Sequence, residues 1–221
     1  MKKEVLTCEL FDCRVPYLAD FFAAHKYPWE MLPNISAHIK GLIASGALEG
    51  FTEISEGVFV GENVKIYPTA TIEGLAIIGS GTEIRPGAFI RGSVITGANC
   101  VIGNSSELKN CILLEHVQVP HYNYVGDSVL GNGAHLGAGS ICSNLKSDGK
   151  NVVIHGKKEY DTNLRKVGAF LGDGADVGSG CVLNPGVIIG KNTSVYPLTA
   201  LRGVYENDLI VKSQKEFVKR K

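Results

Sequence analysis

The sequence has no long apolar run, no excess of charge of either sign and no CxxC pair. No segment approaches the roughly 20 consecutive apolar residues that a membrane span needs, and the opening MKKEVLTCELFDC has no apolar core of a signal peptide. Lys plus Arg and Asp plus Glu both number 22, so the formal net charge is zero. That balance argues against nucleic-acid binding through a basic surface. Six cysteines (8, 13, 100, 111, 142 and 181) are scattered without disulfide-framework spacing, and a reducing cytoplasm is the expected setting. What the 221-residue chain has in excess is glycine: 27 residues, too many for a helical bundle.

The glycines accompany a sixfold period. Val60, Ile66, Ile72, Ile78, Ile84, Ile90, Thr96, Ile102, Leu108 and Leu114 fall at every sixth position, and Leu171, Val177, Leu183, Ile189, Val195 and Leu201 resume the series. A helix repeats at 3.6 residues and an ordinary strand at 2, so neither produces this ladder. A hexapeptide period predicts a parallel β-helix, in which each flat side of a coil turns one side chain inward. Glycine then serves the corners, where the backbone takes positive φ or passes close to a neighbour.

Three regions follow. Residues 1–54 lack the hexad. Asn34 is placed to cap a helix whose Ile35, Ile39, Leu42 and Ile43 share one face, with Gly46 or Gly50 ending it. Leu18, Phe21 and Phe22 predict a second short helix that stops before Pro28. These helices are expected to cap the first coil, because an open solenoid end exposes backbone and apolar side chains. Residues 55–205 form the coils, with one tightened corner between Val125 and Leu130 and a polar excursion at 145–168. Residues 206–221 are a charged tail, whose stretch KSQKEFVKRK is expected as a short solvated helix.

Among six histidines, His116 and His121 have the spacing of zinc ligands in γ-class carbonic anhydrases, which are also hexapeptide β-helices. Catalytic zinc needs three protein ligands, and no third histidine lies between His38 and His116. His121 stands beside Pro120, where the ladder loses its filler pattern. Its neutral imidazole has the chemistry of a general base for an amine, or that of a hydrogen-bonded corner residue.

The stretch Ile102–Val152 resembles the acetyltransferase half of bifunctional sugar-1-phosphate nucleotidyltransferases, the family of the bacterial enzyme making UDP-N-acetylglucosamine and its archaeal relatives. The matching elements are E-x-KN at Glu107–Asn110, PH-x-x-YVGDS at Pro120–Ser128 and LGAG-x-x-x-x-N at Leu136–Asn144. The later RKVGAFLGDGADVGSGCVLNPGVIIG resembles the following coils of the archaeal type, so the similarity covers roughly residues 80–200. It implies an all-β, left-handed parallel β-helix with a small α-helical N-terminal cap, assembled as a homotrimer with sites between adjacent prisms.

The resemblance also implies roles. His121 matches the family's proton acceptor. Lys109 and Tyr124 match substrate contacts, and Ala138, Asn144 and Ser179 match positions contacting acetyl-CoA. Lys150 or Lys166 resembles a substrate lysine. The family's phosphate-binding arginine corresponds to Arg85 by the string RPGA or to Arg91 by register, since Arg91 stands eighteen residues before Lys109. His135 replaces an asparagine that contacts the sugar in many members, which puts the acceptor sugar in doubt. None of the cysteines matches a nucleophile, and no metal is implied. Only about 54 residues precede the coils, so uridylyl transfer is not expected.

The expected function is therefore acetyl-CoA-dependent N-acetylation of an amino sugar phosphate, with glucosamine-1-phosphate as the leading acceptor. A non-catalytic sugar-nucleotide or acyl-CoA binding module and a γ-carbonic-anhydrase-like zinc enzyme are the alternatives.

Overall fold

The computed structural model describes residues 5–213 and 215–219. Within them the sixfold period is realised as stacked coils with three inward-facing columns. On the first face Val60, Ile78, Thr96, Leu113, Leu130, Leu171, Ile189 and Tyr205 lie above one another. The second face stacks Ile66, Ile84, Ile102, Val119, Leu136, Val177, Val195 and Val211. The third stacks Ile72, Ile90, Leu108, Val125, Cys142, Leu183 and Leu201. Neighbouring strands are parallel throughout these columns, and each fully buried aliphatic rung contributes about 1.5–3 kcal/mol. The architecture is a left-handed parallel β-helix of hexapeptide repeats with short N-terminal helices.

One rung differs from the hexad reading. Leu113, not Leu114, fills the first-face slot, because the ladder between the strands Phe89–Thr96 and Glu107–Leu113 slips between Arg91 and Val94. The coil is one residue short there, as it is again between Val125 and Leu130. Leu114 instead joins the apolar cluster outside the prism.

That outer cluster explains the N-terminal region. Ile77, Ile95, Ile112, Val129, Phe170 and Ile188 point outward from the first face and are fully buried. They are covered by the helices Pro16–Ala24 and Ile35–Ser45 and the 3-10 segment Pro28–Asn34. The helical segment therefore lies along a flank rather than over the first coil, whose rungs Val60, Ile66 and Ile72 stay only partly buried. Gly46 ends the second helix in the left-handed conformation at φ 68°. Asn34 makes no side-chain cap; its amide donates to the Glu30 carbonyl at 2.9 Å.

The excursion departs from expectation in its packing. Val153–His155 and Glu159–Asp161 pair as an antiparallel hairpin, while Val152 and Ile154 are buried in the outer cluster. Tyr160 meets Tyr27 and Trp29 edge-on at 5.4 and 5.8 Å between ring centroids. The tail is not a helix in its described residues. Leu209–Ser213 adds the last rung of the second face and pairs antiparallel with Glu216–Lys219. Leu209 and Val211 are buried; the hydropathy alternation of a strand outweighs the surrounding charge.

Buried thiols give one measurable consequence. Burial pushes Cys100 and Cys142 up to about 12 and Cys13 up to about 11, from an ordinary 9.0. Between those values the unfolded chain has lost thiol protons that the folded chain keeps, so stability falls as pH rises. The urea midpoint is expected to hold below about pH 9 and to drop progressively towards pH 11–12, with a shallower drop in Cys142→Val. An unchanged slope in that variant would contradict the assignment.

Candidate functional site

Two groups of predicted residues are brought together, on adjoining parts of the prism. The first is a column at the corner between the second and third faces. Backbone bonds run from Tyr122 N–H to the Asn104 carbonyl, from Gly139 to His121, from Gly180 to Ala138 and from Leu198 to Ser179. His121, Ala138 and Ser179 thus occupy equivalent positions on successive tiers. Asn123, 2% exposed, fixes this corner. Its side-chain oxygen accepts from His121 N–H at 3.1 Å and its amide donates to the Gly137 carbonyl at 2.8 Å. The His121 ring is exposed and makes no hydrogen bond among the described residues.

The residue following each corner position takes positive φ, and most are Gly or Ser. Tyr122 and Leu198 are bulky exceptions, at φ 51° and 59°, with side chains 64% and 85% exposed. Such conformations are uncommon for large residues and cost free energy. The corner thus presents two strained, exposed apolar groups along the column that holds His121.

The second group lies on the third face and its far corner. Arg91 stacks on Lys109, and the next tier is Gly126. Arg91 pairs with Glu107 at 2.7 Å, and Lys109 with Asp127 at 3.1 Å. Asp127, almost fully buried, also accepts from Asn110 at 2.9 Å and Asn144 at 2.6 Å. Asn144 further donates to the Tyr124 hydroxyl at 3.1 Å. Burial and the carboxylates of Glu107 and Asp127 push the Tyr124 hydroxyl above its ordinary pKa. The phenol therefore stays a donor at neutral pH. A Cβ at Gly126 would displace the Tyr124 hydroxyl and the Asn144 amide that fold back over it.

The other predicted residues are dispersed. Arg85 is on the second face, paired with Glu83 at 3.1 Å, so register puts Arg91 and not Arg85 with Lys109. His135 lies on the second face, its Nδ1 2.8 Å from Asp176. Lys150 and Lys166 are exposed on the excursion. His116 and His121 sit at opposite edges of the second face, about 15 Å apart along a strand, and do not form a shared ligand pair. Among the described residues no group of three or more His, Cys, Asp or Glu is placed to hold a metal ion. Sequence reasoning assigned no role to Asp127, Glu107, Asn110 or Asn123. The coil here is seventeen residues, so Gly126 stacks on Lys109 and Asp127 takes the corner position that follows, one residue off a fixed hexad count.

Comparison with known proteins finds relatives along most of the chain. The GMPPB C-terminal domain family matches residues 72–160. Bifunctional protein GlmU of Methanococcus maripaludis (strain S2) is 34% identical over 194 residues, covering 87% of this chain and 47% of that protein. The bifunctional sugar-1-phosphate nucleotidylyltransferase/acetyltransferase of Sulfurisphaera tokodaii is 42% identical over 151 residues, covering 62% and 38%. The chain spans about half the length of the curated relatives it matches. The acetyltransferase domain of PglB from Neisseria gonorrhoeae superposes with a TM-score of 0.41 at 13% identity, covering 74% of this chain and 63% of that one, too loosely to bear on function. By sequence, the chain is similar to the C-terminal half of the bifunctional sugar-1-phosphate nucleotidylyltransferase/acetyltransferases.

Proposed function

We propose that the chain is an acetyl-CoA-dependent N-acetyltransferase whose acceptor is an amino sugar phosphate, glucosamine-1-phosphate being the leading candidate. The observation that carries this reading is the register. His121, Ala138 and Ser179 share one corner, and the third face beginning three residues after His121 carries Tyr124, Lys109 and Arg91. The corner would hold the pantetheine arm and thioester, and the face would hold the sugar phosphate. A second prism against this corner closes the cleft in a cyclic homotrimer, for which exposed Tyr122 and Leu198 are suited as contacts.

In the proposed step the sugar amine attacks the thioester carbonyl, forming a C–N bond. His121 Nε2 or Nδ1 takes the amine proton as the tetrahedral oxyanion forms. Collapse breaks the C–S bond, and the CoA thiolate leaves and is protonated to the thiol. Backbone N–H groups are the candidate oxyanion donors. The chain supplies proximity and a base, with no covalent acyl-enzyme. The buried, raised thiols of Cys100 and Cys142 are consistent with that.

A CoA-release screen across amino sugar phosphates and UDP-amino sugars tests the reading. Release of free CoA with one of these acceptors is expected, with glucosamine-1-phosphate ranking first. Tight acetyl-CoA binding without release for any acceptor would favour a non-catalytic binding module instead.

A further inference from the structure

At the root of the excursion, one step along the prism from the Lys109–Asp127 pair, lies a cavity of about 360 Å³. Its origin is topological. On the preceding coils the corner between the third and first faces is closed by a left-handed residue: Gly74, Gly92, Asn110 and Asp127. At the tier of Asn144 the chain leaves on the excursion, and the next two corners are Gly186, against which Val152 and Ile154 of the excursion pack, and Gly203, which faces the His155 carbonyl. Gly186 and Gly203 form part of the lining, with Ser143, Asn184 and Arg202 from the third face and Lys146 and His155 from the excursion. The size is that of a small-molecule site.

The charge pattern gives the ligand class. Arg14, Arg85 and Arg91 are each held by a carboxylate of this chain, and Arg165 donates to the Gly149 carbonyl. Among the described arginines, only Arg202 has neither an ion pair nor a hydrogen bond from its guanidinium. Lys146 is held at the rim by Asp148 at 3.2 Å. His155 uses Nδ1 for Glu159 at 3.2 Å, which leaves Nε2 unengaged. Two cations against one carboxylate, with the Ser143 hydroxyl and a free guanidinium fork, make a donor-rich cup. Arginine forks match phosphate and carboxylate geometry; the additional donors suit the three terminal oxygens of a phosphate better than the two of a carboxylate.

We propose that this cavity binds a phosphate group of an organic phosphate at a site separate from the Arg91–Lys109 face. Resting on the proposed function for its source, the group is that of the nucleotide part of the acyl donor, since the acceptor's phosphate is assigned to the Arg91–Lys109 face.

The test is binding rather than turnover, so it stands or falls independently of the catalytic reading. Inorganic pyrophosphate is titrated into the full chain while the backbone amides of Ser147, Gly186 and Gly203 are followed by NMR. Saturable shifts are expected at these amides, with a midpoint at least tenfold higher in Arg202→Ala and unchanged in Arg91→Ala. Because Arg202 is exposed, the variant is expected to fold, and an unaltered amide spectrum before titration checks this. Repeating the titration with adenosine 3′,5′-bisphosphate and with glucosamine-1-phosphate separates the sources: the bisphosphate is expected to lose affinity tenfold in Arg202→Ala, and the reverse ranking overturns the assignment to the acyl donor. Absence of shifts at these amides, or equal midpoints in wild type and Arg202→Ala, overturns the proposal.

Discussion

Replacing His121 by alanine is expected to lower acetyl transfer by roughly 10²–10⁴ while leaving the fold intact. The fold should survive because the ring is exposed and carries no hydrogen bond among the described residues. The corner itself is held by Asn123, through backbone groups that the substitution does not touch. Loss of a proton acceptor acts on the chemical step, so kcat should fall with the acceptor KM little changed. His135 is the informative control. Like His155 beside Glu159 it has an orienting carboxylate, Asp176 at 2.8 Å, an arrangement that also serves general bases. It stands on the second face rather than on the corner shared with Ala138 and Ser179. His135→Ala is therefore expected to change acceptor KM more than kcat. A wild-type rate in His121→Ala, with the large kcat loss appearing in His135→Ala, would move the base assignment to the second pair.

Much of this architecture was readable because one physical signal repeats. Each rung is a separate vote for the same period, and the misplacement of Leu114 did not disturb the pattern. That slip came from a one-residue contraction in the corner preceding Leu113, which costs the coil little and leaves no mark in composition. The flank was less legible. Ile77, Ile95 and Ile112 stand next to inward rungs, and a hexad reading does not tell whether an adjacent isoleucine is exposed or covered. Their burial required knowing where residues 5–51 pack, a long-range fact absent from any local window. The tail is less legible because the charges of KSQKEFVKRK conceal a strand that pairs back on Leu209–Ser213, whose Leu209 and Val211 are buried. Arg91 was placed with Lys109 by counting eighteen residues, and the strand register pairs them. The same count misses Asp127, because the coil shortens by one residue after Lys109 and stacks Gly126 on it; a carboxylate is also not an obvious member of a site expected to hold a phosphate.

Asp127 is nevertheless where the largest stability effect is expected. Its carboxylate is almost fully buried and accepts from Lys109, Asn110 and Asn144. Asp127→Ala leaves three donors unanswered, one of them charged. Breaking a buried pair by removing one partner costs about 3–5 kcal/mol. The lower end is expected here, because the Lys109 side chain is 21% exposed and reaches water by a rotamer change. Removing both charges together, in Asp127→Asn with Lys109→Met, should restore a large part of the loss, since no uncompensated charge then remains. The functional consequence follows from geometry. Without Asp127, Asn144 loses its 2.6 Å anchor and the Tyr124 hydroxyl loses a fixed partner, so acceptor KM should rise even where the protein remains folded. Urea denaturation of the single and double variants, with acceptor KM measured well below the transition, separates the two effects. An Asp127→Ala variant as stable as wild type would mean that Lys109 is solvated and that the network does not hold the face in place. Destabilisation without any change in KM would instead leave Asp127 as a corner clamp with no part in orienting Tyr124.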